Sequence, residues 1–137
     1  MQHRELDIET RARPGLVNLS EECAVFLADV ADGGDGLLTV FVPHATAGVV
    51  VVELGAGSDE DLLAALDLLL PRDDRWLHRH GSAGHGADHV LPLLVSPSLT
   101  VPVVAGRMTL GTWQSIALLD PNADNRHRTV LLSCLAG

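Results

Sequence analysis

The chain has 137 residues, with nine Arg, no Lys and eighteen Asp plus Glu, for a net charge of −9. That length suits one domain, residues 1–137, with a core large enough to need no disulfide staples. An acidic chain without a basic stripe excludes a general nucleic-acid binder, whose affinity rests on neutralising phosphates.

The opening MQHRELDIET is charged from the start, which argues against a signal peptide. No apolar run has the length of a membrane span. The expected location is the cytoplasm. Two Phe, two Trp and no Tyr leave the core to Val and Leu. Cys23 and Cys134 have apolar neighbours and are expected as buried free thiols; a Cys23–Cys134 bridge is the alternative.

Gln2 to Thr10 alternates weakly and predicts an opening strand, and Pro14-Gly15 a turn. Ser20 before Glu21 and Glu22 is an expected N-cap with acids in the first turn. Cys23, Phe26, Leu27 and Val30 then mark one helical face, ending near Asp32. Leu37 to Val42 predicts a strand, closed by Pro43, which delivers His44. Thr46 to Leu54 carries four consecutive valines and predicts an internal strand covered on both faces, with Glu53 its one carboxylate. Gly55 to Gly57 predict a turn. Ser58 with Asp61 is close to a capping box for a helix that stops at Pro71.

Trp76 to His80 reads as a short strand, followed by a glycine-rich loop. Asp88 to Val95 predicts a helix capped by Asp88, with Pro92 in its first turn or at a kink. Leu99 to Val104 is a strand whose Pro102 points to an edge or a bulge. After a turn at Gly106-Arg107, Leu110 to Leu119 and Arg128 to Leu135 are the last long strands. The polar loop DPNADNRH joins them. The pattern is α+β.

Four of the seven histidines, His78, His80, His85 and His89, fall within fourteen residues. On a strand His78 and His80 would share a face. No HExxH motif or flanking Cys pair accompanies them, so spacing alone leaves two readings. They are solvated loop side chains, or three imidazoles (or two with Glu53) hold a divalent ion with a position open for water or substrate. His44 either caps a strand end or joins such a site, since the small residues after it permit close approach. Gln114 and Thr112 would share a strand face. A polar Gln in a core strand must find a partner. Trp113 would face the core or an interface. Arg126 and Arg128 either clamp a phosphate or carboxylate or pair with Asp120 or Asp124. No Walker, Rossmann or G-x-S-x-G motif is present.

Together, H-x-T-A-G at His44–Gly48, W-x-H at Trp76–His78 with the downstream His89, G-R-M-x-L-G-T-W-Q at Gly106–Gln114 and R-x-R at Arg126–Arg128 resemble the YjbQ-like family. The resemblance covers nearly the whole chain. Some members carry the description secondary thiamine-phosphate synthase. The resemblance implies an α+β fold, a mixed sheet folded into a sandwich or pseudo-barrel with packed helices, assembled as a homotrimer. It implies a divalent metal, Zn or Mg, on His44, His78 and His89. His44, Glu53 and Gln114 would be catalytic, and Thr112, Arg126 and Arg128 would bind phosphate. The expected activity is metal-assisted chemistry on a small phosphorylated heterocycle, resembling thiamine-phosphate synthesis at low specificity. A non-catalytic metal- or anion-binding homotrimer is the alternative. The chain departs from the family pattern at Val52, and at Gly86 and Ala87, where members often have Asn.

Overall fold

The computed structural model describes residues 1–10 and 15–137. The expected turn at Pro14-Gly15 thus lies partly outside the described residues. Gly15 itself opens a strand, which the sequence reading missed.

In chain order the elements are β1 (Gln2–Glu9), β2 (Gly15–Asn18), α1 (Ser20–Val30), β3 (Gly36–Phe41), β4 (Gly48–Val52) and α2 (Ser58–Leu69). Then come α3 (His85–Val90), a 3-10 turn (Leu91–Leu93), β5 (Ser98–Val104), β6 (Arg107–Met108), β7 (Ser115–Asp120) and β8 (His127–Ala136). A five-stranded sheet runs β1-β8-β3-β5-β6 and a three-stranded sheet β2-β7-β4. The expected α+β fold, a folded sheet with packed helices, is what the chain adopts. Every described pairing is antiparallel, where a mixed sheet was expected.

β8 shows why this sequence makes a central strand. Arg128, Val130, Leu132 and Cys134 are buried while the residues between them are half-exposed, the period of two that a half-covered strand requires. The inward residues of β8 meet Leu38 and Val40 of β3, Val101 and Val103 of β5, and Cys23, Phe26 and Leu27 of α1. Each large side chain removed from water here stabilises the fold by about 1.5–3 kcal/mol. Both cysteines are buried free thiols, as expected, and form no bridge. Burial is the main reason the Cys23 thiol is pushed up to about 12.

β7 is apolar on both faces for a different reason. Ile116 and Leu118 enter the main core, whereas Leu119 joins Leu70, Ala87 and Leu91 in a second cluster beneath α2 and α3. β7 is therefore the internal strand of its sheet. The valine run is not: among the described residues β4 pairs with β7 alone and sits at the edge, with Val50, Val51 and Val52 only half-buried. The segment after α3 closes over the start of that edge. Val49 N–H donates to Ser96 O at 2.9 Å, and a Cβ on Gly48 would meet the Val95 carbonyl oxygen at 2.8 Å.

Three helix starts differ from the sequence reading. Ser20 is the first residue of α1; its hydroxyl accepts the Ile116 N–H at 3.0 Å, and Asn18 Oδ1 accepts the Ser20 N–H. Ser58 likewise opens α2 behind Gly57, whose φ of 91° suits only glycine, so no capping box forms. α3 begins at His85, three residues earlier than expected. Asp88 is 1% exposed and does not cap it. Pro92 falls in the 3-10 turn after α3. Pro102 sits near a sheet edge, as expected, since only the two-residue β6 lies outside β5.

Candidate metal centre

The site is assembled from three pieces that follow one another around α3. Pro71 ends α2, and Trp76 Nε1–H then donates to the Pro71 carbonyl at 2.8 Å, fixing the start of the histidine segment. Residues 76–77 are bends and 78–80 are irregular where the sequence suggested a strand. Gly81 and Gly84 take φ of 81° and 82°, which folds the segment back onto α3. Gly86 permits the closest approach: a Cβ there would meet Trp76 Cβ at 2.5 Å and His78 O at 2.7 Å. We expect Gly86→Ala to displace the His78 segment and weaken any metal bound there by at least about tenfold, the size of an outer-shell disturbance. Calorimetric titration with zinc measures this, and unchanged affinity contradicts it.

His85 and His89 stand one helical turn apart on α3 and share a face. Their Nε2 atoms are 3.0 Å apart. The ring centroid of His78 is 4.1 Å from that of His89 and 4.0 Å from that of His80. One ligand atom from each of the four histidines lies within 4.8 Å of the others. His78, His80 and His89 are exposed and His85 is 9% exposed. The pKa of His78 and of His89 is lowered, first by desolvation and then by repulsion among neighbouring imidazoles. All of these factors favour neutral rings with lone pairs available to a cation. The cluster borders an open cleft of about 290 Å³ that Arg79 and Ser82 also line.

Buried polar residues support the helix side of this cluster. Asp88 accepts from Arg72 through both carboxylate oxygens and from Asn122 Nδ2 at 3.0 Å. Asn122, 3% exposed, lies in the loop after β7 and also contacts His85 Nδ1 at 3.0 Å. Asp124 of the same loop accepts from Ser82 N–H at 3.0 Å and lies 2.8 Å from His85 Nδ1. Sequence reasoning named Asp124 only as an arginine partner and overlooked Asn122. The one available signal was the polarity of the DPNADN loop.

The other expected site residues lie elsewhere. Arg128 and Asp120, each 2% exposed, form a bidentate ion pair at 2.9 and 2.8 Å. Arg128 also donates to Thr46 Oγ1, and Thr10 Oγ1 donates to Asp120. The Arg128 guanidinium thus faces Asp120, the alternative the sequence offered. His44 stands beside this pair: its Nε2 accepts the Thr129 N–H at 2.9 Å, and desolvation followed by the Arg128 charge lowers its pKa. Asn122 N–H donates to Asp120 Oδ1 at 3.1 Å, so one loop joins the ion pair to the histidine cluster. Arg126 is exposed, and its carbonyl accepts from Thr10. Glu53 is exposed and lines a separate cleft with Ser58 and Asp61. Thr112 and Gln114 are exposed in a turn, not on a strand: Gln114 Oε1 accepts the Gly111 N–H at 2.8 Å. This turn delays β7 to Ser115 and leaves Trp113 74% exposed.

Comparison with known proteins bears on this arrangement. Residues 4–137 match the family model described as "UPF0047 protein YjbQ-like". The chain belongs to the YjbQ-like family. Its relatives include the UPF0047 protein Mb2586c of Mycobacterium bovis, 57% identical over 132 residues, or 96% of this chain and 99% of that protein. YugU of Bacillus subtilis is 33% identical over 115 residues, covering 82% and 84% of the two chains. Among solved structures, the hypothetical protein APE1520 from Aeropyrum pernix K1 superposes with a TM-score of 0.89 at 30% identity, covering all of both chains. A family fold that spans the whole chain agrees with the single sheet-and-helix architecture described above.

Proposed function

We propose that this YjbQ-like protein is a divalent-metal enzyme acting on a small phosphorylated molecule at the His78–His80–His85–His89 cleft. The convergence of four imidazoles within 4.8 Å carries this reading. An all-nitrogen donor set suits zinc or a similar transition ion. It does not suit magnesium, which takes oxygen ligands and keeps its waters. A bound zinc would act as a Lewis acid toward a phosphoryl oxygen or a water. The chain's own residues supply the rest. His78 and His80, exposed at the mouth, leave room for an incoming ligand, and Arg79 offers a cation to an anionic group. Arg128 holds the loop behind the site through Asp120 and Asn122, and His44 is engaged by the Thr129 N–H, so neither is free to meet substrate.

The substrate we infer is a phosphorylated heterocycle, and the narrowest form of the reading is a low-specificity thiamine-phosphate synthase. The test is turnover by the zinc-reconstituted protein. It would be offered hydroxymethylpyrimidine diphosphate with thiazole phosphate, and separately a panel of small phosphate esters. Product that disappears in His78→Ala and His89→Ala supports the enzyme. Tight zinc binding with no product from any substrate supports the non-catalytic alternative. One observation favours that alternative: among the described residues, Asp73 and Asp74 are the only carboxylates lining the cleft, and both are exposed.

The homotrimer is likewise a proposal. α2 has no fully buried residue, and Leu68, Leu69, Leu77 and Leu93 are 67–93% exposed. Apolar surface of that kind favours association. Light scattering should give three times the 14.5 kDa chain mass, and a monomer would contradict the proposal.

A further inference from the structure

His85 Nδ1 has two partners that ask for opposite things. Asn122 Nδ2 lies 3.0 Å away and Asp124 Oδ2 lies 2.8 Å away. The orientation of the Asn122 amide is settled by its other bonds. Oδ1 accepts the backbone N–H of Asp124 and of Asn125, and Nδ2 faces the buried Asp88 carboxylate. Nδ2 is therefore a donor, and its match is an Nδ1 lone pair. Asp124 is an acceptor held as a carboxylate, its pKa lowered first by the Ser82 backbone N–H. Its match is an Nδ1 proton. A neutral imidazole carries one proton and satisfies one of these partners at a time.

The other nitrogen of the same ring points into the cluster, where Nε2 is 3.0 Å from His89 Nε2. With the proton on Nε2, His85 donates to His89 and Nε2 has no lone pair for a cation in the cluster. With the proton on Nδ1, Nε2 is free to ligate and Asp124 takes the hydrogen bond. The close placement of Asp124 is built in by Gly81. A Cβ there would meet Asp124 Oδ2 at 2.6 Å and His85 Nδ1 at 3.1 Å.

We propose that Asn122 and Asp124 hold His85 in two alternative tautomers, and that the Asp124-bonded tautomer is the metal-ligating one. Asp124 is then a positioning residue acting through His85. The ring gains and loses no net proton: the one on Nε2 leaves to solvent and one returns to Nδ1. This inference rests on the metal reading above and deepens it.

The test is ¹⁵N NMR of the histidine side chains in the full chain, without metal and with zinc or cadmium. The His85 pattern should change from a protonated Nε2 to a protonated Nδ1. In parallel, Asp124→Asn should weaken zinc binding about 10–100-fold, the usual effect of losing an outer-shell partner, and Asp124→Glu should restore part of it. If the wild-type chain binds no zinc, the metal reading fails and this inference falls with it. If zinc binds but His85 keeps one tautomer throughout, or Asp124→Asn binds within twofold of wild type, the inference fails and the metal site stands. Should Asp124→Asn fail to fold, the wild-type tautomer measurement decides alone.

Discussion

His89→Ala should lower zinc affinity by about 100-fold or more, beyond the 10–100-fold expected for an outer-shell change, while leaving the fold intact. His89 is exposed and contributes little to the core, so circular dichroism should be unchanged. His78→Ala should behave alike, whereas His44→Ala should leave zinc affinity within a few-fold, because His44 is occupied with the Thr129 N–H. The pH dependence has a definite sign. Metal binds the neutral imidazole, and the pKa of His78 and of His89 is lowered below the ordinary 6.5. The neutral rings therefore persist into mild acid. Zinc should be held as pH falls to 6.5 and be released only below it, as the lowered pKa values are crossed. Competition with a chromophoric chelator across pH reads this directly; half-release at or above pH 6.5 would contradict it.

The second large effect concerns stability. Arg128→Ala or Asp120→Ala leaves one buried charge without its partner, and each should cost about 3–5 kcal/mol. The two residues are 2% exposed and close a network that includes Thr10 and Thr46. Either variant should unfold at much lower urea than wild type. The double change Arg128→Met with Asp120→Leu removes both charges together and should recover part of the loss. If a single variant costs less than about 1 kcal/mol, the value typical of an exposed pair, the ion pair does not hold the fold as argued. Asn122 bonds to Asp120 as well as to His85, so a surviving single variant should also bind zinc more weakly.

Much of the architecture was legible because it follows from local periodicity. β1, α1, β3, β5 and β8 fall where alternation or helical spacing placed them. The valine run misled because four valines in a row suggest two covered faces, while the continuous burial belongs to β7. Its neighbours α2 and α3 come from elsewhere in the chain. The W-x-H segment also broke its expected pattern. Gly81, Gly84 and Gly86 let it fold back onto α3, a tertiary fact invisible to spacing. His78 and His89 were legible as a pair. His80 and His85 read from sequence as nearer to solvated loop side chains and stand outside the expected metal set, yet the structure brings both into the same cluster. Asn122 lies 37 residues beyond His85, and only the turn after β7 brings them together. Arg128 illustrates the opposite limit: its sequence context allowed phosphate or carboxylate, and burial beside Asp120 is a property of the assembled sheets.

The proposed function requires that the four-histidine cluster hold an ion. X-ray absorption at the zinc edge, on the full chain loaded with one equivalent of zinc, tests this most directly. The expected first shell is dominated by imidazole nitrogen at about 2.0–2.1 Å, with that signature weakened in His78→Ala and His89→Ala. No retained zinc, or a shell of oxygen that the histidine variants leave unchanged, would contradict it.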